Sequence, residues 1–169
     1  IVSREEIVVA GLPVIEEILR QYDERLKMIA HFRDGQPAHV GNKLATIRGP
    51  LRSMLSVERV MLNFLQRLSG IATTTSRYVR AVKGTKAKIY DTRKTLPGWR
   101  LLEKYAVRCG GGYNHRLGLY DGILIKDNHM AELGTNFPAR IRRLIQDAKE
   151  ESIAAILDAV ARLQLLPPA

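Results

Sequence analysis

The twelve residues Tyr90-Asp-Thr-Arg-Lys-Thr-Leu-Pro-Gly-Trp-Arg-Leu101 carry the strongest structural signal in this chain. A short apolar run that ends at Tyr90 predicts a buried strand over residues 86–90, and Pro97 with Gly98 ends regular structure after it. The Thr-Arg-Lys triplet at 92–94 is therefore expected at the carboxyl end of a strand, where α/β sheets and barrels place functional groups. Two cations on such a turn fit an anion site, and they equally fit a solvated basic turn.

Positive charge is concentrated around this stretch. The chain has 169 residues and a formal net charge of +10. Residues 77–126 contain twelve Lys or Arg against three Asp or Glu, a local net charge of +9 that leaves +1 for the rest. A field of this kind favours a multiply anionic partner, which is either a small phosphorylated or carboxylated molecule or a nucleic acid.

Composition indicates a globular protein, with 46% apolar and 26% charged residues. The sequence shows no apolar run of membrane-spanning length and no signal-peptide pattern, so we expect a soluble, cytoplasmic protein without membrane association. Cys109 is the only cysteine, which excludes an intrachain disulfide and a cysteine-based metal site, and it is expected to be a small buried filler. The ends, Ile1-Val2 and Leu-Leu-Pro-Pro-Ala, lead us to expect a chain cut at both termini.

The first 55 residues alternate between strand and helix signals, which predicts an α+β region. Residues 7–10 predict a strand, and Gly11-Leu12-Pro13 begins a helix because proline is tolerated in the first turn. Short runs broken by turn residues over 28–47 predict hairpin-like strands.

Two helices are predicted next, with Ser56 and Ser69 as their N-caps. The second is expected over 70–82, ended by Gly84. Arg59 lies off the apolar stripe of the first helix, so periodicity alone predicts a solvated side chain.

Strands and helices alternate in the second half of the chain. After the strand at 86–90 we predict a helix over 99–106, a glycine turn at 109–112, a strand at 123–125 and helical segments within 138–165. This order favours a parallel sheet or a barrel, although two strands are too few to close a barrel.

Three loops carry cationic or imidazole side chains and are expected to meet at one mouth. They are Thr92-Arg93-Lys94, Asn114-His115-Arg116 and Lys126-Asp127-Asn128-His129. Arginine presents a planar fork that suits a carboxylate, and lysine a compact charge for phosphate or ribose oxygens. The Gly110-Gly111-Gly112 run suits a sharp turn or an anion-binding nest. Neither histidine has partners at metal-ligand spacing, so no metal site is predicted from them.

Several long motifs make the chain resemble one enzyme family, the quinolinate phosphoribosyltransferases, also called carboxylating nicotinate-nucleotide pyrophosphorylases. The motifs are Val-Ala-Gly-Leu-Pro at 9–13, Ser-Val-Glu-Arg at 56–59, Tyr-Asp-Thr-Arg-Lys-Thr-Leu-Pro-Gly at 90–98, Gly-Gly-Gly-Tyr-Asn-His-Arg at 110–116 and Ile-Lys-Asp-Asn-His at 125–129. The resemblance covers about residues 8–134.

The resemblance implies a two-domain homodimer whose active site is shared between subunits. Residues 1–83 would be an N-terminal α/β sandwich with connecting helices, and residues 84–169 the first part of an incomplete α/β barrel. The implied reaction, part of NAD biosynthesis, joins quinolinate to phosphoribosyl pyrophosphate with Mg²⁺ and yields nicotinate mononucleotide, pyrophosphate and CO₂. The carboxylates of the Mg²⁺ site are not identified in this sequence.

Site residues carry over by motif position. Arg93, His115 and Arg116 fall where the family holds the quinolinate carboxylates, with Thr92 and Lys94 beside them, and Lys126 falls between the substrates. Lys94 and Lys126 are the candidate catalytic residues, with Lys94 holding the departing carboxylate twisted. Arg59 falls on the position that reaches into the neighbouring subunit. The resemblance therefore implies a binding role for Arg59, whereas periodicity alone predicts a solvated side chain.

The chain also departs from the family. Nothing after residue 134 matches the acidic pair or the glycine-rich phosphate loops, so we expect an incomplete portion that does not turn over alone. Two alternatives remain: a related pyridine phosphoribosyltransferase with another substrate, and a basic nucleic-acid-binding module. The second is disfavoured, and no nucleic-acid partner is expected, because the basic residues lie on separate loops without a set of stacking aromatics.

Overall fold

The structure is a computed structural model that describes residues 1–122 together with 124, 139, 142, 143 and 146. The chain divides into two units, Ile1–His115 and Arg116–Ala169. The predicted strand at 123–125, apart from Leu124, and the loop that begins at Lys126 lie outside the described residues. The few described residues within 138–165, which are Ala139, Arg142, Arg143 and Gln146, are helical.

The first unit begins with two small antiparallel sheets around one helix. Strand β1 (Ile7–Val8) pairs with β3 (Pro37–Ala38), and β2 (Lys27–Ala30) pairs with β4 (Ala45–Arg48). Helix α1 (Leu12–Tyr22) follows β1 and has proline in its first turn, as predicted. The α+β character expected for the first 55 residues is confirmed. The strands at 28–47 do not form a simple hairpin, because β2 pairs with β4 while β3, which lies between them in the sequence, pairs with β1.

The N-terminus of α1 is capped from a distance. Gly11, at φ 111°, provides no side chain, and the carboxylate of Asp34 instead accepts hydrogen bonds from the backbone N–H groups of Gly11 (2.6 Å) and Leu12 (3.1 Å). A negative charge at this end of a helix is stabilised by the helix dipole and by the unpaired N–H groups.

Helix α2 (Leu51–Ala81) is one continuous helix of 31 residues, so the prediction of two helices was wrong. Ser56 lies inside it and donates a hydrogen bond to the carbonyl of Arg52, one turn back. Ser69 is also interior: its hydroxyl accepts from the Ala10 N–H (3.1 Å) and donates to the Ala10 carbonyl (3.2 Å). Both serines bond to backbone, as N-caps do, but not at a helix start.

The core of the first unit lies between α1, α2 and the sheets. Its largest fully buried side chains are Val9, Ile15, Leu19 and Leu68. On α2, the buried stripe runs Val57, Met61, Leu65, Leu68 and Ala72, the spacing of one helical face.

Helix α3 (Arg100–Cys109) packs against the second half of α2. It begins one residue later and ends three residues later than predicted. The strand expected at 86–90 forms only at its last residue, where Tyr90 makes a parallel bridge to Tyr113. A parallel strand requires a paired neighbour, and within the described residues only the Tyr113 segment pairs with it.

Part of α2 exposes apolar side chains. Leu51, Leu55 and Val60 are 66%, 61% and 46% exposed. None of the described helices is both long enough and apolar enough to cross a membrane.

Candidate functional site

The loop at 92–94 leaves the Tyr90 bridge as a short turn. Lys94 donates its backbone N–H to the Thr92 hydroxyl (3.1 Å), and Thr95 donates to the Arg93 carbonyl (3.0 Å). Thr92 and Lys94 are exposed, and Arg93 is half-buried. The prediction of a buried strand before these residues is wrong, because Tyr90 forms only a single bridge and is itself 51% exposed. The loop at 92–94 follows that bridge directly.

The far end of this loop is anchored to α2. The ring of Trp99 stacks on Phe64 with centroids 4.6 Å apart and planes 21° from parallel. Stacked aromatic pairs of this kind stabilise packing beyond their buried area. The loop is thus held at both ends, by the Tyr90 bridge and by Trp99.

The glycine run forms a sharp turn and not an anion nest. The N–H groups of Gly110, Gly111 and Gly112 all donate to carbonyls of α3, at 3.0 Å each, so they are already paired. Gly111 has φ +84°, which favours glycine. A side chain at Gly110 would overlap the Ala72 carbonyl, because the turn lies directly against α2.

The loop at 92–94, the first loop, is joined to His115 by a buried ion pair between Asp91 and Lys104. The Lys104 ammonium lies 2.5 Å from Oδ1 of Asp91, and the two side chains are 3% and 8% exposed. Oδ1 of Asp91 also accepts the His115 backbone N–H at 2.8 Å, while Lys104 donates to the His115 carbonyl at 2.8 Å. Asn114, with its amide nitrogen facing these acceptors, donates to Oδ2 of Asp91 (2.9 Å) and to the Lys104 carbonyl (3.0 Å).

The structure therefore brings together part of the predicted site. Residues 92–94 follow Asp91 directly, and His115 is bonded to the Asp91 carboxylate. Arg116 belongs to the second unit, where its guanidinium donates to the Gly122 carbonyl at 2.6 Å. Lys126 lies outside the described residues.

Arg59 is exposed on α2. It precedes the fully buried Leu68 by nine residues, two and a half turns at about 3.6 residues per turn, so it lies on the opposite side of the helix. One and two turns earlier on its own side lie the exposed Leu55 and Leu51.

Sequence reasoning assigned no connecting role to the residues that join the loops, Asp91, Lys104 and Asn114. On α3 the buried positions are Glu103, Lys104 and Ala106. No sequence signal pointed to Lys104, because the helix pattern assigns charged residues to the solvent-exposed face.

Two side chains near α3 have perturbed acidities. Cys109 is half-buried, and not fully buried as predicted. Burial raises the pKa of its thiol, which favours the protonated form and disfavours a nucleophile. Burial, with a hydrogen bond to Asp34, raises the pKa of the Tyr105 hydroxyl.

An open groove of about 880 Å³ lies elsewhere, between the first residues of the chain and α2. Its lining is mainly apolar and includes Ile47, Leu51, Leu55 and Leu62, and none of the predicted site residues belongs to it. The groove and the two loops are thus separate features.

The described residues do not fit a Mg²⁺ site. Among them, no three His, Cys, Asp or Glu side chains lie close enough together to hold a metal ion. The carboxylate of Asp91 is already engaged by Lys104, His115 and Asn114.

Comparison with known protein families shows the family of this chain. Residues 1–69 match the N-terminal domain and residues 71–160 the C-terminal domain of quinolinate phosphoribosyl transferase. The chain belongs to the quinolinate phosphoribosyl transferase family.

Relatives and solved structures of this family carry the name nicotinate-nucleotide pyrophosphorylase or NadC. The probable carboxylating enzyme of Bacillus subtilis is 54% identical over 135 residues, which are 80% of this chain and 47% of the relative. That of Mycobacterium leprae is 50% identical over 136 residues, 79% of this chain and 48% of the relative. The chain thus spans about half the length of these curated relatives.

Two crystal structures share the mixed helix and strand fold. NadC from Streptococcus pyogenes is 43% identical with a TM-score of 0.76, and the match covers 90% of this chain and 52% of that one. Nicotinate-nucleotide pyrophosphorylase from Ehrlichia chaffeensis is 39% identical with a TM-score of 0.80, covering 95% of this chain and 61% of that one.

Proposed function

We propose that this chain forms the quinolinate-binding part of a quinolinate phosphoribosyltransferase. The enzyme would convert quinolinate and phosphoribosyl pyrophosphate to nicotinate mononucleotide, pyrophosphate and CO₂, a step of NAD biosynthesis. The family membership and the names of the relatives support this reaction. The observation that carries it is the Asp91 carboxylate, which bonds the loop at 92–94 to His115 and so draws two family motifs into one place.

Quinolinate is a dianion, and the second substrate is more strongly anionic. The local net charge of +9 lowers the cost of bringing both into one cleft. Arg93 and Arg116 would each hold a ring carboxylate through the guanidinium fork, with His115 and Thr92 as further hydrogen-bonding partners.

Lys94 would hold the carboxylate that departs as CO₂. Substitution at the ring nitrogen, as pyrophosphate leaves the ribose carbon, creates a pyridinium. Its positive charge stabilises the electron pair left on the ring carbon when the C–C bond breaks and CO₂ departs, and that carbon then takes a proton from solvent. A cation that keeps the departing carboxylate out of the ring plane assists this step, and Lys94 follows Arg93 on the same exposed turn. Lys126 would contact both substrates, as the resemblance implies.

A homodimer with Arg59 acting across the interface is part of the proposal. The exposed stripe Leu51, Leu55 and Arg59 supports it, because exposed apolar side chains on one helix face mark interaction surfaces. An arginine at the end of such a stripe is suited to reach a partner's site.

The remaining features rest on the resemblance. These are the incomplete barrel, the domain boundary at residue 83 and the requirement for Mg²⁺; the cytoplasmic location stays a prediction from the sequence pattern. Because the described residues do not fit a metal site, no step is assigned to the metal.

A binding experiment tests the function. Quinolinate and nicotinate, which has a single carboxylate, are titrated into the protein by calorimetry. We expect quinolinate to bind at least about tenfold more tightly, because the second carboxylate adds a charge-assisted pair of about 1.5 kcal/mol or more. Equal affinity for the two would favour a related pyridine phosphoribosyltransferase, and no binding of either would remove the basis of the proposal.

A further inference from the structure

We infer that Lys104 is a positioning residue for quinolinate, acting through Asp91 and the peptide group of His115; this assignment rests on the proposed function. Lys104 itself is 3% exposed and does not reach a substrate surface. Its ammonium donates to Oδ1 of Asp91 and to the His115 carbonyl, so it joins the two loops that carry the predicted quinolinate contacts.

Both backbone polar groups of His115 are hydrogen-bonded to the ion pair. Its N–H donates to Asp91 and its carbonyl accepts from Lys104, each at 2.8 Å. Fixing both groups of one residue fixes its backbone orientation, and with it the direction in which the imidazole leaves the chain. Because these two hydrogen bonds come from Asp91 and Lys104, the orientation of His115 depends on that ion pair. This matters because binding geometry must be held to a fraction of an ångström.

Asp91 is held from the other direction. Its backbone N–H donates to the Tyr113 carbonyl at 3.0 Å, and Asn114 donates to its Oδ2 at 2.9 Å. Thr92, Arg93 and Lys94 follow immediately. The position of Asp91 therefore sets where the first loop begins relative to His115.

A purely stabilising role explains this arrangement less well. Burying two charges costs desolvation that offsets much of their attraction, so a buried pair is weak support for stability. Helix α3 is already attached to α2 by the buried Ala106 and by the ion pair of Arg67 with Glu103 at 2.6 Å. The adjacent ion pair of Lys104 with Asp91 instead contacts the two loops, so its role is to position them.

The matched control is this neighbouring pair. The control variant, Arg67→Met with Glu103→Gln, removes both charges of the ion pair at the preceding position of α3 without touching either loop. Lys104→Met removes the positioning group but leaves Asp91 charged and buried, which threatens folding. The double variant Asp91→Asn with Lys104→Met removes both charges and keeps the protein testable.

Quinolinate affinity is measured by calorimetry on each variant, at a temperature where its melting curve shows a fully folded protein. We expect the variant Asp91→Asn with Lys104→Met to bind about tenfold or more weakly, the effect of a slightly misplaced group. The control variant should stay within about twofold of the unaltered protein. The His115 amide proton should also change its NMR shift in the double variant only, because the neutral amide oxygen of asparagine accepts a weaker hydrogen bond than the Asp91 carboxylate.

The failures are distinguishable. If the unaltered protein does not bind quinolinate, the proposed function falls and the assignment with it. If it binds, and the folded double variant binds equally well, only the positioning role is overturned. An equal loss of affinity in the control variant would attribute the effect to general loosening of α3 and would also overturn the positioning role.

Discussion

Lys104 on α3 and Asp91 before the first loop form an ion pair of 2.5 Å with both side chains buried. The two residues are thirteen positions apart, and the segment between them contains Arg93, Lys94 and the Trp99 anchor. The pair closes this segment into a loop whose ends are fixed. A fixed loop can present its cations to a ligand without the entropy cost of ordering them on binding.

Replacing Arg93 with alanine should weaken quinolinate binding by about 2 kcal/mol or more, the value of a charge-assisted hydrogen bond to a carboxylate. Arg93→Lys should rescue poorly because a point charge does not reproduce the guanidinium fork. Arg52→Ala, at an exposed site on α2, is the control and should bind normally. Calorimetry that finds unchanged affinity in both Arg93→Ala and Arg116→Ala would contradict the assigned contacts.

Mixing two inactive variants tests whether Arg59 acts in the partner subunit. After subunit exchange between Arg59→Ala and Arg93→Ala protomers of a full-length enzyme, half of the dimers are mixed and one of their two sites regains both groups. About a quarter of all sites should therefore recover activity. The readout is CO₂ release, and exchange is verified by mass. Verified exchange without recovered activity would show that Arg59 acts within its own chain or not at all.

Ser69→Ala should destabilise the fold by about 1–2 kcal/mol, because the fully buried Ala10 loses the hydroxyl that pairs both its N–H and its carbonyl. Ser56→Ala is the matched control: an exposed serine of the same helix, bonded within one turn, whose loss should change stability by less than about 0.5 kcal/mol. Urea unfolding of both variants measures the difference. Equal stabilities would mean that the bond between Ser69 and Ala10 contributes nothing.

Tyr105 should make the fold sensitive to alkaline pH. Its hydroxyl donates to Asp34 at 2.8 Å, and burial is the main cause of its raised pKa. Above about pH 10, the unfolded tyrosine loses its proton while the folded one keeps it, so the stability contributed by this group is complete below that pH and falls as pH rises. Melting temperatures of the unaltered protein should therefore fall more steeply between about pH 9 and about pH 11 than those of Tyr105→Phe. If the melting temperatures of the two proteins fell in parallel with pH, the ionisation of Tyr105 would not be linked to stability.

Local signals predicted local structure well. Helix α1 was predicted because its proline and its apolar spacing lie within one segment. Helix α2 was predicted as two helices because Ser56 and Ser69 look like N-caps, whereas the partner of Ser69 is Ala10, which lies 59 positions away. No local pattern reveals such a partner.

The site shows the same division. The loop with Arg93 and the turn with His115 could be found because their motifs are contiguous. Their connection through Asp91 and Lys104 could not be predicted from the sequence, because periodicity assigns a charged helix residue to solvent. The burial of Lys104 arises from tertiary contacts, which only the folded chain displays.

The location of quinolinate binding is the most direct test of the account. Amide chemical shifts of the isotope-labelled protein are recorded as quinolinate is added, with resonances assigned for both loops and for the groove along α2. We expect the largest shifts at Thr92, Arg93, Lys94 and His115, and none at Leu55 or Leu62. Shifts confined to the groove, or no shifts at saturating quinolinate, would contradict the claim that these two loops form the quinolinate site.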